Sequence, residues 1–216
     1  MKPGITSAVC LNSLILGAAL LLTGCATTGN QRSANTRATM KDVEQDYIRS
    51  SEQVDVTRGS LEGIVNPNQV DEKKAFDRYS NDVSKMGNLE KRLNKQGDQM
   101  RVQQKDYFEE WRMQGNTYTN PRIQALSEQR RADLTAVFAN IAESSVGVKG
   151  ALKAYMSDLR QIRTYLSTDL TPKGIESITP TVQQAIVDGD NLKEAIKPVL
   201  SSMDDARGEL AQGPNR

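Results

Sequence analysis

Hydrophobic residues recur every seven positions along four stretches of the chain, with mainly polar residues between them. The most regular stretch has one series at Leu134, Ile141, Val148, Tyr155 and Ile162. An interleaved series lies four residues further on, at Phe138, Leu152, Leu159 and Leu166. This spacing puts both series on one face of an α-helix, as in a coiled coil. No stretch shows the alternation typical of a strand.

Turn-forming residues divide the pattern into four predicted helices, over about residues 36–65, 69–113, 121–167 and 173–210. Asn66-Pro67-Asn68 ends the first, because proline disfavours helix in the residue before it. Asn120-Pro121 begins the third, since asparagine caps a helix and proline fits its first position. Thr171-Pro172 repeats this signal for the fourth. Pro180 and Pro198 should kink that helix, and Thr179-Pro180 is an alternative start.

Each predicted helix carries one apolar stripe, so the four must bury these stripes against one another. The second and third are the longest and match in length, which predicts a long central hairpin with Tyr79 near Leu159. Gly97 falls in the stripe of the second helix, where it lets a neighbour come close. The predicted fold is all-α, an elongated antiparallel bundle or coiled coil of four helices.

An apolar run over residues 8–22 precedes the helices and ends in Leu22-Thr23-Gly24-Cys25. With Lys2 before it, the run has the form of a secretory signal, and it is too short to span a membrane, which takes about 20 apolar residues. Leu-small-Gly-Cys at this place is the lipobox of bacterial lipoproteins. We expect cleavage between Gly24 and Cys25 and acylation of Cys25, palmitate being a typical chain. The alternatives are an ordinary signal with a chance cysteine and an uncleaved anchor.

The predicted layout follows from this signal. Residues 1–24 are the signal peptide, 25–35 a flexible tether after lipidated Cys25, 36–212 the helical bundle and 213–216 a frayed tail. Two or three acyl chains hold a protein stably on a membrane. Ala26 carries no retention signal of the aspartate type, so we expect an outer-membrane lipoprotein that faces the periplasm.

The amino-acid composition of the chain argues against several classes of function. The full chain has 28 basic and 27 acidic residues, and loss of Lys2 with the signal makes the two equal, which argues against a nucleic-acid partner. It has no histidine, and its two cysteines are Cys10 in the signal and Cys25. No thiol or imidazole is therefore left for catalysis or metal binding, and we expect no cofactor, no metal and no enzyme activity.

The carboxylates give no catalytic pattern either. Glu109-Glu110 and Asp204-Asp205 are adjacent pairs, which point about 100° apart on a helix. Neither pair therefore converges on one point, as an acid/base pair must. Asp188 and Asp190 flank Gly189 without the further oxygen ligands of a calcium loop.

The turn between the second and third helices concentrates unusual residues, including the only tryptophan. As a binding surface it would use Phe108, Trp111, Tyr118 and Asn120, because aromatic residues are common anchors of interfaces. The alternative is a clasp in which the aromatic rings pack the two helix ends together and Asn120 caps the third helix. The binding surface and the clasp are compatible if one of the aromatic rings faces outward.

From Tyr107 onward the chain resembles an uncharacterised family of bacterial lipoproteins, a domain of unknown function. The resemblance is carried by Phe108-x-x-Trp111, Tyr118-x-Asn120, Ser127, Tyr165-Leu166, Leu170 and Ile175-x-x-Ile178. It implies a lipid-anchored helical periplasmic protein and supplies no activity. The family tends to have a histidine-containing turn after the third helix, whereas residues 167–171 here have none.

The sequence thus favours a non-enzymatic, lipid-anchored envelope protein with a structural or protein-interaction role. Its expected partners are membrane lipid through Cys25, and either another envelope protein or a second copy of the chain. The alternative is a carrier that holds an apolar small ligand between its helices, with a void between helices as its mark. An enzyme that uses carboxylates is a third hypothesis, without an evident substrate.

Overall fold

The computed structural model describes residues 29–66, 68 and 71–211 of the 216-residue chain. The signal, Cys25 and the tail 212–216 lie outside these residues. The four helices are α1 (Gly29–Ile64), α2 (Glu72–Gly115), α3 (Pro121–Thr168) and α4 (Pro172–Ala211). No described residue lies in a strand, which confirms the predicted all-α bundle.

The helices run alternately up and down in a ring. Each packs against the helix before and after it in the sequence, and α4 closes the ring against α1. The backbones of the diagonal pairs do not approach each other. The α3/α4 interface is the most extensive and the α2/α3 interface the least. The two helices of the central hairpin, α2 and α3, therefore pack less extensively on each other than on their outer neighbours α1 and α4.

Most of the heptad residues form one continuous core. Every residue of both α3 series is buried. The Tyr79 hydroxyl donates a 2.6 Å hydrogen bond to the Leu159 carbonyl, which confirms the predicted pairing of these residues. Gly189 of α4 lies between α1 and α3, and a Cβ there would meet Val54 Cγ1 at 3.0 Å and the Tyr155 ring at 3.2 Å. Glycine thus lets α4 approach the middle of the bundle.

The stripe of α1 contains buried polar residues that have partners on α1 itself or on the neighbouring α2. The hydroxyls of Ser50 and Thr57 donate 2.7 Å hydrogen bonds to the Asp46 and Gln53 carbonyls one turn back. Asp46 is itself buried, and its carboxylate accepts from Arg49 of α1 and pairs with Arg92 of α2 at 3.3 Å. These polar groups cost little to bury because each has a partner.

Helix α1 starts earlier than predicted. Residues 29–35, expected to belong to the tether, are helical. Arg32 pairs with Glu110 at 3.3 Å and donates to Gln114 of α2, and Ser33 Oγ donates to the Leu210 carbonyl of α4. Residues 29–35 have no clear apolar pattern of their own. Their contacts with α2 and α4 are not evident from the local sequence.

Two other expectations need correction. Helix α4 runs unbroken through Pro180 and Pro198, so the alternative start at Thr179-Pro180 is wrong. Both prolines lie on the exposed face, where a missing N–H costs less, and the flanking apolar residues stay buried. Gly97 admits no close neighbour, because a Cβ there would meet nothing within 4 Å. It borders a cavity instead.

Candidate functional site

The hairpin tip, residues 107–127, lies at the end of the bundle where α1 begins and α4 ends. The contacts of Arg32 with Glu110 and Gln114 place the start of α1 beside the last turns of α2. Arg130 of α3 pairs with the Glu209 carboxylate of α4 at 2.5 Å. The first two turns of α3 therefore extend past the described end of α4.

Three aromatic rings form a clasp at the tip. Tyr107 meets Phe108 and Trp111 edge to face, with ring centroids 5.3 and 5.7 Å apart. Phe108 packs on Phe138 of α3 at 5.6 Å. The Trp111 indole N–H donates a 2.8 Å hydrogen bond to Ser127 Oγ. Burial raises the pKa of the Tyr107 hydroxyl, against the opposing effect of Arg32 and Arg130. The clasp joins α2 to α3 where the chain reverses.

The turn is closed by its own backbone and by one cap. The amides of Thr117 and Tyr118 donate to the carbonyls of Gln114 and Gly115, at 3.0 and 3.2 Å. The Asn120 side-chain oxygen accepts the amide of Arg122 at 2.9 Å, and Pro121 follows at the first helical position. Asn120 therefore acts as a helix cap, as its sequence context indicates.

The outer surface of the tip, over residues 113–127, combines exposed apolar side chains with uncharged polar ones. Residues 113–127 contain no aspartate or glutamate, and Arg122 is their only charged residue. Four large apolar side chains are exposed on this surface: Met113, Tyr118, Ile123 and Leu126. Leu126 is the most exposed of them, at 64%. This group of exposed apolar side chains near one turn is a candidate contact surface.

The structure separates the four predicted tip residues. Phe108 and Trp111 are half-buried in the clasp, Asn120 is engaged as a cap, and Tyr118 is 39% exposed on the outer surface. Sequence reasoning missed Met113, Ile123 and Leu126. They lie outside the heptad series, on faces that the pattern assigns to solvent, so a search for apolar residues off the stripe and near a turn would have found them.

A cavity of about 310 Å³ lies between α2 and α3, further along the hairpin from the tip. Its walls are mainly apolar: Leu93, Met100, Phe138, Ile141, Val148 and Leu152. Asn94, Asp98, Arg101 and Lys149, all exposed, also line it. Gly97 contributes no side chain, which leaves this part of the α2 face open. The cavity lies at the least extensive of the helix interfaces.

The adjacent carboxylates Glu109 and Glu110 are each engaged with a different arginine. Glu109 accepts from Arg112 one turn along α2, which lowers the pKa of Glu109, while Glu110 pairs with Arg32. Asp204 likewise pairs with Arg207. Among the described residues no three carboxylate, histidine or cysteine side chains are grouped to hold a metal ion.

One pair of carboxylates does meet across an interface. Burial and the neighbouring Asp188 of α4 both raise the pKa of Asp158 of α3, burial having the larger effect. Gln184 donates to Asp188 Oδ1 at 3.0 Å. A side-chain hydrogen bond to Asp188 also raises the pKa of Asp158, and the two groups repel each other across the α3/α4 interface when both are ionised.

Of the four helices within residues 29–66, 68 and 71–211, none combines the length and apolar character needed to cross a membrane. Comparison with protein-family models, curated proteins and solved structures found no match to this chain.

Proposed function

We propose that this chain is a non-enzymatic, lipid-anchored protein of the bacterial cell envelope, with a structural or protein-interaction role. The observation that carries the proposal is the lipobox Leu22-Thr23-Gly24-Cys25, which is followed by the start of α1 at Gly29. A lipid on Cys25 would hold the folded bundle close to the membrane. Ala26 directs the proposal to the outer membrane and its periplasmic face.

The character of the bundle supports a role without catalysis. Glu109 and Glu110 at the tip are each paired with a single arginine, Arg112 and Arg32. The lining of the α2/α3 cavity is mainly apolar and includes one carboxylate, Asp98. Acid/base catalysis of the glycosidase type takes two carboxylates facing one bond.

The anchor can be tested with two cysteine variants. In cells fed a palmitate analogue that carries a click-chemistry handle, the wild-type chain should become labelled and fractionate with membranes. Cys25→Ser should lose the label and keep its signal, since the acyl acceptor is gone. Cys10→Ser is the matched control and should behave as wild type, because Cys10 leaves with the signal. Equal labelling of all three chains would refute the anchor.

A protein partner would be expected on exposed apolar positions, including those on the flanks of the bundle. Val56, Val146 and Val187 are at least half exposed on α1, α3 and α4. In-cell photo-crosslinking at these positions and at Tyr118, with Glu62 as a control, should give a discrete heavier band at one apolar position only. Absence of a band at every position would remove the interaction role.

A carrier of an apolar small ligand is the second candidate, and the α2/α3 cavity favours it. A volume of about 310 Å³ is at the lower end of the range for ligand pockets, about 300–1,000 Å³. Its mixture of apolar walls and exposed polar residues suits a molecule with an apolar body and a polar end. Native mass spectrometry of the purified full chain should then show a co-purified lipid-like molecule.

A pair of glycine variants tests the carrier directly. Gly97→Phe places a ring in the cavity, whereas Gly147→Phe places the same ring at an exposed position of α3 outside the lining. Both glycines leave room for a side chain. A carried ligand should be lost from Gly97→Phe and kept by Gly147→Phe. Equal occupancy in both variants, or none in wild type, would exclude the cavity as the binding site.

A further inference from the structure

We propose that the outer surface of the hairpin tip docks on the lipid bilayer beside the anchor, with Met113, Ile123 and Leu126 among the lipids. This inference rests on the proposed function, since it needs an acylated Cys25. It assigns the tip to the membrane that holds the protein. The flanks of the bundle then remain for a protein partner.

The direction of the chain brings the tip to the membrane. Gly29 is at the same end of the bundle as the tip, because Arg32 contacts Glu110 and Gln114 in the last turns of α2. Three residues lie between Cys25 and Gly29, which makes four residue steps. Even fully extended, four residues reach no more than about 14 Å. An acylated Cys25 at the bilayer surface therefore keeps this end of the bundle within that distance of the lipids.

The tip also extends further in this direction than α4. Ser33 of α1 contacts Leu210, and Arg130 of α3 contacts Glu209, so these residues lie at one level. From Arg130, α3 continues for nine more residues to Pro121, which is about 14 Å of helix. The described end of α4 is only two residues beyond Glu209. A surface placed across this end therefore meets the ends of α2 and α3, beside the start of α1, before it reaches the described end of α4.

The chemistry of the tip suits a bilayer. Its exposed large side chains are Met113, Tyr118, Ile123 and Leu126, and no acidic residue lies in residues 113–127 to repel anionic headgroups. Arg122 can face those headgroups, and tyrosine is favoured at the membrane interface. At the opposite end, over residues 58–64, 72–78 and 162–178, the only described large apolar side chain that is exposed is Tyr165. The apolar patch is therefore at the anchored end alone.

The anchor explains why a small patch is enough. Docking of a tethered tip is an intramolecular event, so the lipid surface is present at a high effective concentration. A few inserted side chains then suffice to orient the bundle. A free partner protein would need a larger matching surface, since stable protein interfaces bury about 800 Å² on each side.

The test uses the full, processed chain in vesicles of phosphatidylethanolamine and phosphatidylglycerol whose acyl chains are brominated. Cys10 leaves with the signal and Cys25 is blocked by acylation, so an introduced cysteine is the single free thiol. An environment-sensitive fluorophore is placed at Ile123→Cys or Leu126→Cys. The control is Val146→Cys, 73% exposed and about 30 Å along α3 from Leu126.

Docking predicts that bromine quenches both tip labels at least threefold more than the Val146 label. A further Leu126→Glu change should return the Ile123→Cys label to the control level, with an unchanged helical circular dichroism spectrum. Val187→Glu, an exposed charge on a flank, should leave the quenching intact. Equal quenching at tip and control positions would overturn the docking.

The intact mass of each chain separates the two proposals. An acylated chain whose tip labels are not quenched keeps the anchor and overturns the docking. A chain without acyl groups overturns the anchor and, with it, the docking. Tip labels that avoid bromine but crosslink to a second copy would assign the patch to self-association and also overturn the docking.

Discussion

Two buried tyrosines in the core make different use of their hydroxyl groups. Tyr79 donates to the Leu159 carbonyl at 2.6 Å, whereas the buried Tyr155 hydroxyl faces Thr57 without meeting hydrogen-bond geometry. Burial raises the pKa of both hydroxyls well above the ordinary tyrosine value, so both stay protonated. A buried hydrogen bond stabilises a protein modestly, while an unsatisfied buried hydroxyl costs more.

These environments predict opposite effects of one substitution. Tyr79→Phe should lower the free energy of unfolding by about 0.5–1.5 kcal/mol, because it removes a buried hydrogen bond. Tyr155→Phe should leave it unchanged or raise it by about 1 kcal/mol, because it removes an unpaired polar atom. Urea unfolding followed by circular dichroism checks both. A larger loss in Tyr155→Phe than in Tyr79→Phe would contradict the assignment.

The carboxylates of Asp158 and Asp188 predict a pH dependence at the α3/α4 interface. The pKa of Asp158 is raised in the folded protein, so the native state binds this proton more tightly than the unfolded chain does. Ionised Asp158 therefore destabilises the folded protein, and this effect is complete at pH values above the raised pKa. The destabilisation decreases as the pH falls through that pKa. Neutralising Asp188 should remove part of the penalty at neutral pH.

Asp188→Asn is thus expected to raise the melting temperature at pH 7, by an amount that shrinks as the pH approaches 4. Asparagine keeps an oxygen that can accept from Gln184. Asp205→Asn, an exposed carboxylate on the same helix, is the control and should show no such trend. Melting curves across this pH range decide the matter, and parallel shifts in both variants would disprove the local repulsion.

At the scale of the helices, two glycines on seam positions have different roles. Gly97 of α2 has open space where its Cβ would be, and Gly189 of α4 has Val54 and Tyr155 within 3.0–3.3 Å. The heptad pattern does not distinguish them, since it specifies a face and not the neighbours on that face. Gly97 has open space because the α2/α3 interface is open at this point. Gly189 is crowded because α4 approaches α1 and α3 closely.

Alanine at these two positions should change stability in opposite directions. Gly97→Ala should stabilise the protein by about 0.5–1 kcal/mol, because alanine costs less entropy in a helix and meets no atom. Gly189→Ala should destabilise it, because overpacking costs about 1–3 kcal/mol and exceeds the helical gain. Chemical denaturation measures both. Stabilisation by Gly189→Ala would contradict this prediction, because it would mean that Val54 and Tyr155 move aside for the added methyl group at little cost.

For the whole molecule, the decisive arrangement is that the start of α1, the hairpin tip and the end of α4 meet at one end. Arg32 and Ser33 tie the start of α1 to α2 and α4. These ties set the position of the bundle relative to Cys25. They also convert most of the predicted tether into helix, so little chain is left between the proposed anchor and the folded domain.

Arg32→Ala should therefore loosen the start of α1 without unfolding the bundle. Hydrogen exchange in the first two turns of α1 should become about fivefold faster or more, because Arg32 loses its contacts with Glu110 and Gln114. Arg58→Ala is the control, since it removes exposed ion pairs of α1 with Glu62 and Asp190 further along the bundle. Unchanged exchange in Arg32→Ala would mean that the helix start is held by other contacts.

The sequence by itself determined the all-α class, the four helices and nearly all of the core. Heptad spacing fixes which face of a helix is apolar, and Asn120-Pro121 and Thr171-Pro172 fix where helices begin, because these are local properties of the chain. The same reasoning found the aromatic residues of the tip. It did not show which of them face outward, since Phe108 and Trp111 are turned inward by Phe138 and Ser127 of another helix.

Only the tertiary structure decided the features that depend on residues far apart in the chain. The helical state of residues 29–35 depends on contacts with α2 and α4, and the continuity of α4 through Pro180 and Pro198 accompanies packing of its inner face. The exposure of Met113, Ile123 and Leu126 and the cavity beside Gly97 follow from where the helix ends and interfaces fall. Heptad periodicity does not predict these features, because it gives the face of the helix on which a side chain lies and not the residues that pack against that face.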